Sequence, residues 1–134
     1  MQSASASAAC SLPPSDPVAH TVQVAEQLIE EEPGATYSPE ILARAIGVSV
    51  RSLFRGFQRL RAYGPMEAVR RARLDRVRRD LLAAGPLERV TDTAMRWGFY
   101  HLGRFSGFYS ERFGELPSET RRRSRSRAVE LRCG

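Results

Sequence analysis

Twenty-one of the 134 residues are basic, and every one of them is arginine. A guanidinium presents a planar fork of donors that fits phosphate oxygens and the O6/N7 edge of guanine, which is the chemistry of nucleic-acid recognition. Distribution says more than the total. Residues 1–40 hold six acids and no base, whereas residues 41–134 hold all 21 arginines against nine acids, a net charge of +12. Codon bias can account for the missing lysine but not for this segregation. Clustered arginine in one region is the electrostatic footprint of a nucleic-acid binder.

Other chemistry finds little to work with. The only histidines, His20 and His101, have no cysteine or carboxylate cluster at metal-ligand spacing around them. Cys10 and Cys133 lie near the two ends, outside every periodic segment, and read as unpaired thiols of a reducing compartment. No glycine-rich phosphate loop follows a strand, because no stretch reads convincingly as a strand. The chain is therefore expected to be no enzyme, with no metal and no cofactor.

The elements that must position the arginines are helices. In AMRWGFYHLGRFSGFYSERFGELP, residues Ala94–Pro117, two short helices are broken at Gly98, and the second carries Phe105, Tyr109 and Phe113 at four-residue spacing. That spacing puts one aromatic on the same face at each turn. Gly98 can take the left-handed conformation that ends the first helix. A short helix, a glycine turn and an amphipathic helix make a helix-turn-helix, which lays its second helix in the DNA major groove.

Earlier segments follow the same logic. Asp16-Pro17 reads as an N-cap with proline at the first helical position, and Val18, Val22, Ala25 and Ile29, widened by Leu28, form an apolar stripe that must stop before Pro33-Gly34. Ser38-Pro39-Glu40 starts a second helix with apolar Ile41, Leu42 and Ile46, ended by Gly47. Ser49 can cap a third helix with Leu53, Phe57 and Leu60 inward. After Gly64-Pro65 a long helix runs to about Ala84, with Met66, Val69, Leu74, Val77 and Leu81 inward, and Gly85-Pro86 ends it. Ala43, Gly47, Leu53 and Phe57 match Ala94, Gly98, Phe105 and Tyr109 at offsets of 51 before the turn and 52 after it. The core is expected to include Ala43, Gly47, Leu53, Phe57, Ala94, Gly98, Phe99, Phe105, Tyr109, Phe113 and Pro117.

The inward stripes fix what faces outward. On the first recognition helix these are Arg51, Phe54, Arg55 and Gln58. Arg51 or Arg55 can contact guanine, and Phe54 either meets a thymine methyl or flanks the core. On the second they are Leu102, Gly103, Arg104, Ser106 and Gly107, where only Arg104 has a long polar reach. Base contacts are expected from Arg51, Phe54, Arg55, Leu102, Gly103, Arg104 and Gly107, and phosphate contacts from Ser49, Gln58, Arg59, His101, Arg73 and Arg76. The two interior glycines either admit close approach of DNA or are merely tolerated, and His101 is either a phosphate contact or a poor cap. The basic run 121–127 adds counterion-release affinity or is a solvated end.

With these residues the chain resembles the DNA-binding domain of the AraC/XylS family of bacterial transcription regulators, from about Val18 to Arg122. Ala94, Gly98-Phe99, Phe105, Tyr109, Phe113-Gly114 and Pro117 carry the most specific part, supported by LARAIGVSVRSLFRGF at 42–57 and RARLDRVRRDLL at 71–82. Four positions depart from the family pattern: Ala62, where a glycine often ends the first recognition helix, polar Thr93, His101 in place of a capping residue, and Thr120 in place of an aromatic. Together they suggest a less stable second half. The resemblance implies an all-α, homeodomain-like fold of about seven helices, with two helix-turn-helix subdomains joined by a long linker helix. It also implies recognition helices at about 49–61 and 101–113 entering adjacent major grooves, and recruitment or repositioning of RNA polymerase at promoters. It places Arg51, Phe54 and Arg55 at base-contacting sites.

The expected organisation is a disordered tail or linker at 1–15, a first subdomain at 16–64, the linker helix at 65–84, a second subdomain at 86–120 and a basic tail at 121–134. No apolar run approaches the roughly 18 residues of a membrane span, and MQSASASAAC lacks the basic and apolar regions of a signal peptide. A cytoplasmic, nucleoid-associated protein that binds double-stranded DNA, as a monomer if it stands alone, is expected. Two alternatives stand beside a standalone sequence-specific regulator: a non-specific architectural nucleic-acid binder, and the C-terminal fragment of a longer effector-responsive regulator.

Overall fold

Polar caps start the first three helices at the expected places. In the computed structural model, which describes residues 16–85 and 87–133 with side chains as far as 126, Asp16 Oδ1 accepts from the Val18 and Ala19 amides at the start of α1 (Pro17–Glu31). Ser38 Oγ accepts from the Ile41 amide and opens α2 (Pro39–Ile46), and Ser49 Oγ accepts from the Ser52 amide and opens α3 (Val50–Leu60). Such caps satisfy amides that the first helical turn leaves unpaired. Then come α4 (Pro65–Ala83), α5 (Val90–Arg96), α6 (Leu102–Phe113) and α7 (Pro117–Cys133). The described residues thus form seven helices and no strand. Expectations for residues 1–15, including Cys10, and for the Cys133 side chain lie outside them.

The chain divides into two compact units between Val69 and Arg70, inside α4, so the long helix belongs to both. In the first unit α1 packs mainly on α3, and Val22, Ala25, Ile29, Leu42, Ala43, Leu53 and Phe57 form the buried apolar set, with Ala68 and Val69 from the start of α4 also buried. Gly56 sits in that packing: a Cβ there would come within 3.0 Å of Val22 Cγ2. Arg61, which caps the end of α3 in an extended conformation, donates Nε and Nη2 to the Glu26 carboxylate at 2.7 and 2.8 Å. Because Arg61 ends the helix with φ −132°, no glycine is needed at Ala62. Ile41 and Leu60, expected inward, are exposed. Ile41 lies on the outer side of the short α2, beside Leu42 and Ala43, which take the inner face, and Leu60 is the last residue of α3.

The second unit is built around Leu74, Val77 and Leu81 of α4, Ala94 of α5, and Phe105 and Tyr109 of α6. Phe99, Phe105, Tyr109 and Phe113 make a ladder of tilted rings with successive centroids 5.1, 5.8 and 4.7 Å apart, within the range of favourable aromatic pairs. Gly47 and Gly98, with φ of +80° and +92°, make the two turns in the left-handed region. Gly47 is exposed, so it ends α2 as a left-handed turn and does not join the core expected to include it.

Thr93 and Thr120, the polar departures, are buried but paired. The Thr93 hydroxyl donates to Glu88 at 2.7 Å. Tyr109 donates to Thr120 at 2.7 Å, and Thr120 donates to Glu115. A buried polar group costs stability chiefly when left without a partner, so these threonines do not by themselves weaken the second unit. The Glu115 carboxylate also accepts from Arg123 at 2.7 and 2.9 Å and from Arg78 at 3.1 Å. The Arg123 hydrogen bonds foremost, with those of Thr120 and Arg78, hold its carboxyl from the usual 4.5 down to about 2. A carboxylate whose folded pKa is depressed stabilises the fold above its unfolded pKa and loses that contribution as pH falls. Glu115→Gln is therefore expected to lower the thermal midpoint at pH 6, with the gap to the parent protein closing between about pH 4.5 and 2; a pH-independent gap would assign the loss to packing.

The segment expected as a basic tail from residue 121 is helical, because α7 continues through it to Cys133. Arg121 is only 6% exposed; it donates Nε to the Glu88 carbonyl at 3.0 Å and Nη2 to the Gly85 carbonyl. Ser124 donates to the Leu82 carbonyl at 2.9 Å. These bonds tie the start of the arginine run to the end of α4 and to the connection between α4 and α5.

Candidate nucleic-acid interface

Burial of Leu53, Gly56 and Phe57 turns the rest of α3 to solvent. At 3.6 residues per turn, Arg51, Arg55 and Gln58 fall along the middle of the exposed face, with Phe54 and Arg59 on its two flanks. All five are exposed. Arg51, Arg55 and Arg59 follow one another at four-residue spacing, and none has a hydrogen bond or ion pair among the described residues. Three unpaired guanidiniums in a row make a strip suited to guanine edges and flanking phosphates. Phe54 is 42% exposed beside them. Ser49, expected at a phosphate, already uses its hydroxyl on the Ser52 amide and side chain, each at 3.0 Å.

The corresponding face of α6 is different in kind. The 52-residue offset that matches Leu53 to Phe105 and Phe57 to Tyr109 sets Gly103, Gly107 and Glu111 in the places of Arg51, Arg55 and Arg59. Gly103 and Gly107 are exposed, and a Cβ at either would meet nothing within 4 Å. No internal packing requires a glycine at these points. Arg104 is exposed and unpaired among the described residues, and Glu111 offsets its charge on the same face. Glu111 was not among the expected site residues, although its place four residues after Gly107 and seven after Arg104 points it outward. Leu102 is exposed, and His101 begins the helix without a side-chain cap bond.

The long helix offers fewer free cations than its composition suggests. Arg70 lies over the Phe108 ring at 3.8 Å and Arg76 over Trp97 at 5.7 Å, both within cation–π range. Arg78 and Arg79 pair with Glu115 and Asp80. The Arg73 guanidinium lies 3.3 Å from where a Gly98 Cβ would stand. Arg73 and Arg76, expected at phosphates, thus have neighbours within the second unit. On α6, Arg112 pairs bidentately with Asp75 at 2.8 and 3.0 Å. Among the described residues no group of three His, Cys, Asp or Glu side chains could hold a metal, and no helix is long and apolar enough to cross a membrane.

Residues 42–123 match the family described as "Helix-turn-helix domain". The chain is 51% identical over 79 residues to the probable thc operon regulatory protein of Rhodococcus erythropolis, covering 58% of this chain and 24% of that protein. It is 39% identical over 97 residues to the XylDLEGF operon transcriptional activator 2 of Pseudomonas putida, covering 70% of this chain and 60% of that one. It thus spans less than two thirds of the length of these relatives. Among solved structures, a probable AraC family transcriptional regulator from Rhodopseudomonas palustris CGA009 matches with a TM-score of 0.74 at 36% identity, over 78% of this chain and 97% of that one. A transcriptional regulator with an AraC-type DNA-binding domain from Chromobacterium violaceum matches with a TM-score of 0.64 at 28% identity, over 82% of this chain and 94% of that one.

Proposed function

Since the chain belongs to the AraC/XylS family of DNA-binding transcription regulators, we propose that it reads an operator mainly through α3, while α6 enters the adjacent major groove chiefly for affinity and DNA shape. The unpaired Arg51–Arg55–Arg59 strip, set against Gly103, Gly107 and Glu111 at the matching positions, carries this reading. Arg51 and Arg55 then contact base edges, while Arg59 holds a phosphate. Arg104 is the main polar contact of α6, with Leu102 and His101 at the groove edge. Arg73 and Arg76 are the phosphate contacts of the long helix. In the wider reading the bound protein recruits or repositions RNA polymerase, acting as a monomer on nucleoid DNA in the cytoplasm.

Comparing the affinity of the full chain for a selected operator and for random duplexes at physiological salt tests this function. A tighter operator complex by three decades or more is expected for a specific binder, and equal affinities would leave only an architectural role.

The glycines of α6 give a second check. Each costs a helix interior about 1 kcal/mol relative to alanine. Gly103→Ala and Gly107→Ala are expected to raise the unfolding midpoint of the second unit and to weaken operator binding, because each methyl stands where DNA comes close. Raised stability with unchanged affinity would make the glycines merely tolerated.

A further inference from the structure

We propose that the depression at the C-terminal end of α3 is a reading site for an A·T base pair: the thymine 5-methyl group lies against the Phe54 ring, and the Gln58 amide pairs with adenine N6 and N7. The assignment rests on the proposed role of α3 and gives Gln58 a base-reading function in place of the phosphate contact expected from its sequence position.

Phe54, Gln58, Arg61, Ala62, Tyr63 and Gly64 line the depression. Two aromatic rings, Phe54 and Tyr63, are among its lining and are held in place. The Phe54 ring edge lies 3.7 Å from where a Gly64 Cβ would stand, and Tyr63 packs on the buried Phe57 with ring centroids 6.5 Å apart. Its one charged lining residue, Arg61, is engaged with both oxygens of Glu26. The Gln58 amide has no hydrogen bond among the described residues. Helix geometry brings Gln58 almost into line with Arg51, two turns further along α3, at the middle of the exposed face and not at its flank where Arg59 stands.

Charge identifies the occupant. The depression shares Phe54 and Gln58 with the face that carries the unpaired Arg51, Arg55 and Arg59, and that charge favours a polyanion as its occupant. In the major groove of a duplex the thymine methyl is the apolar feature, and a glutamine amide is complementary to adenine N6/N7. An exposed aromatic ring with an unpaired carboxamide four residues on matches those two features, whereas arginine matches guanine.

The test uses the full chain and a duplex operator selected from a random library. Each thymine is replaced in turn by uracil, which removes only the 5-methyl group. At one position within the half-motif read by α3, the replacement is expected to weaken binding about fourfold, the effect of one buried methyl. In Phe54→Ala the same replacement has no further effect, and Phe54→Leu retains part of it. Gln58→Ala is expected to reduce the preference for A·T over G·C at that pair or its neighbour by between about 5-fold and 100-fold. Uracil tolerated everywhere in an operator that is still bound specifically overturns this site and leaves the role of α3 standing. Absence of any operator preference overturns both.

Discussion

Phe105→Ala is expected to destabilise the second unit by about 3–5 kcal/mol. Phe105 is 1% exposed and stands between Phe99 and Tyr109, with ring centroids at 5.1 and 5.8 Å. Leu74, Val77, Leu81 and Ala94 share its cluster. Neighbours cannot readily fill the space left by the ring. Tyr109 is anchored through Thr120 to Glu115, and the α4 leucines are fixed by their own helix. The protein has one tryptophan, Trp97, whose Nε1 donates to Asp80 at 2.8 Å within this unit. Its fluorescence therefore follows unfolding of the second unit alone. An early Trp97 transition in urea or heat is expected, and an unchanged one would mean that α6 does not bury this face.

Arg55→Ala and Arg51→Ala are each expected to weaken operator binding by about 1–3 kcal/mol and to relax preference at one base position. Both side chains are exposed and unpaired, so their removal breaks no internal hydrogen bond or ion pair and should leave the unfolding midpoint in place. Arg104→Ala is expected to cost less and to act more evenly across sequences, because Gly103, Gly107 and Glu111 give it little help on its face. A uniform loss for Arg55→Ala would turn it into a phosphate contact.

Much of this architecture was readable from local chemistry. Asp16, Ser38 and Ser49 announce helix starts, Gly47 and Gly98 announce left-handed turns, and Phe105, Tyr109 and Phe113 announce a buried face. Each signal acts within one helical turn, so sequence order suffices. Partnership across the fold was not readable in this way. The arginines of α4 read as a DNA-facing array, yet Phe108, Trp97, Glu115 and Asp80 meet four of them from other parts of the second unit or from the same helix. The run from Arg121 read as a tail because its anchors, the Gly85, Glu88 and Leu82 carbonyls, are backbone atoms more than thirty residues away. Thr93 and Thr120 looked costly until their partners were in view. Glu111 was within reach of the sequence, since the repeat register alone aligns it with Arg59.

Selection of binding sites from a random duplex library, repeated with Arg51→Ala and with Arg104→Ala, tests the unequal roles of the two recognition helices most directly. The parent protein is expected to yield two half-motifs about one helical turn apart, one strongly defined and one weak. The strong half should lose its definition in Arg51→Ala and keep it in Arg104→Ala. A strong half that responds to Arg104→Ala instead would contradict the account, because it would place the reading of DNA on α6.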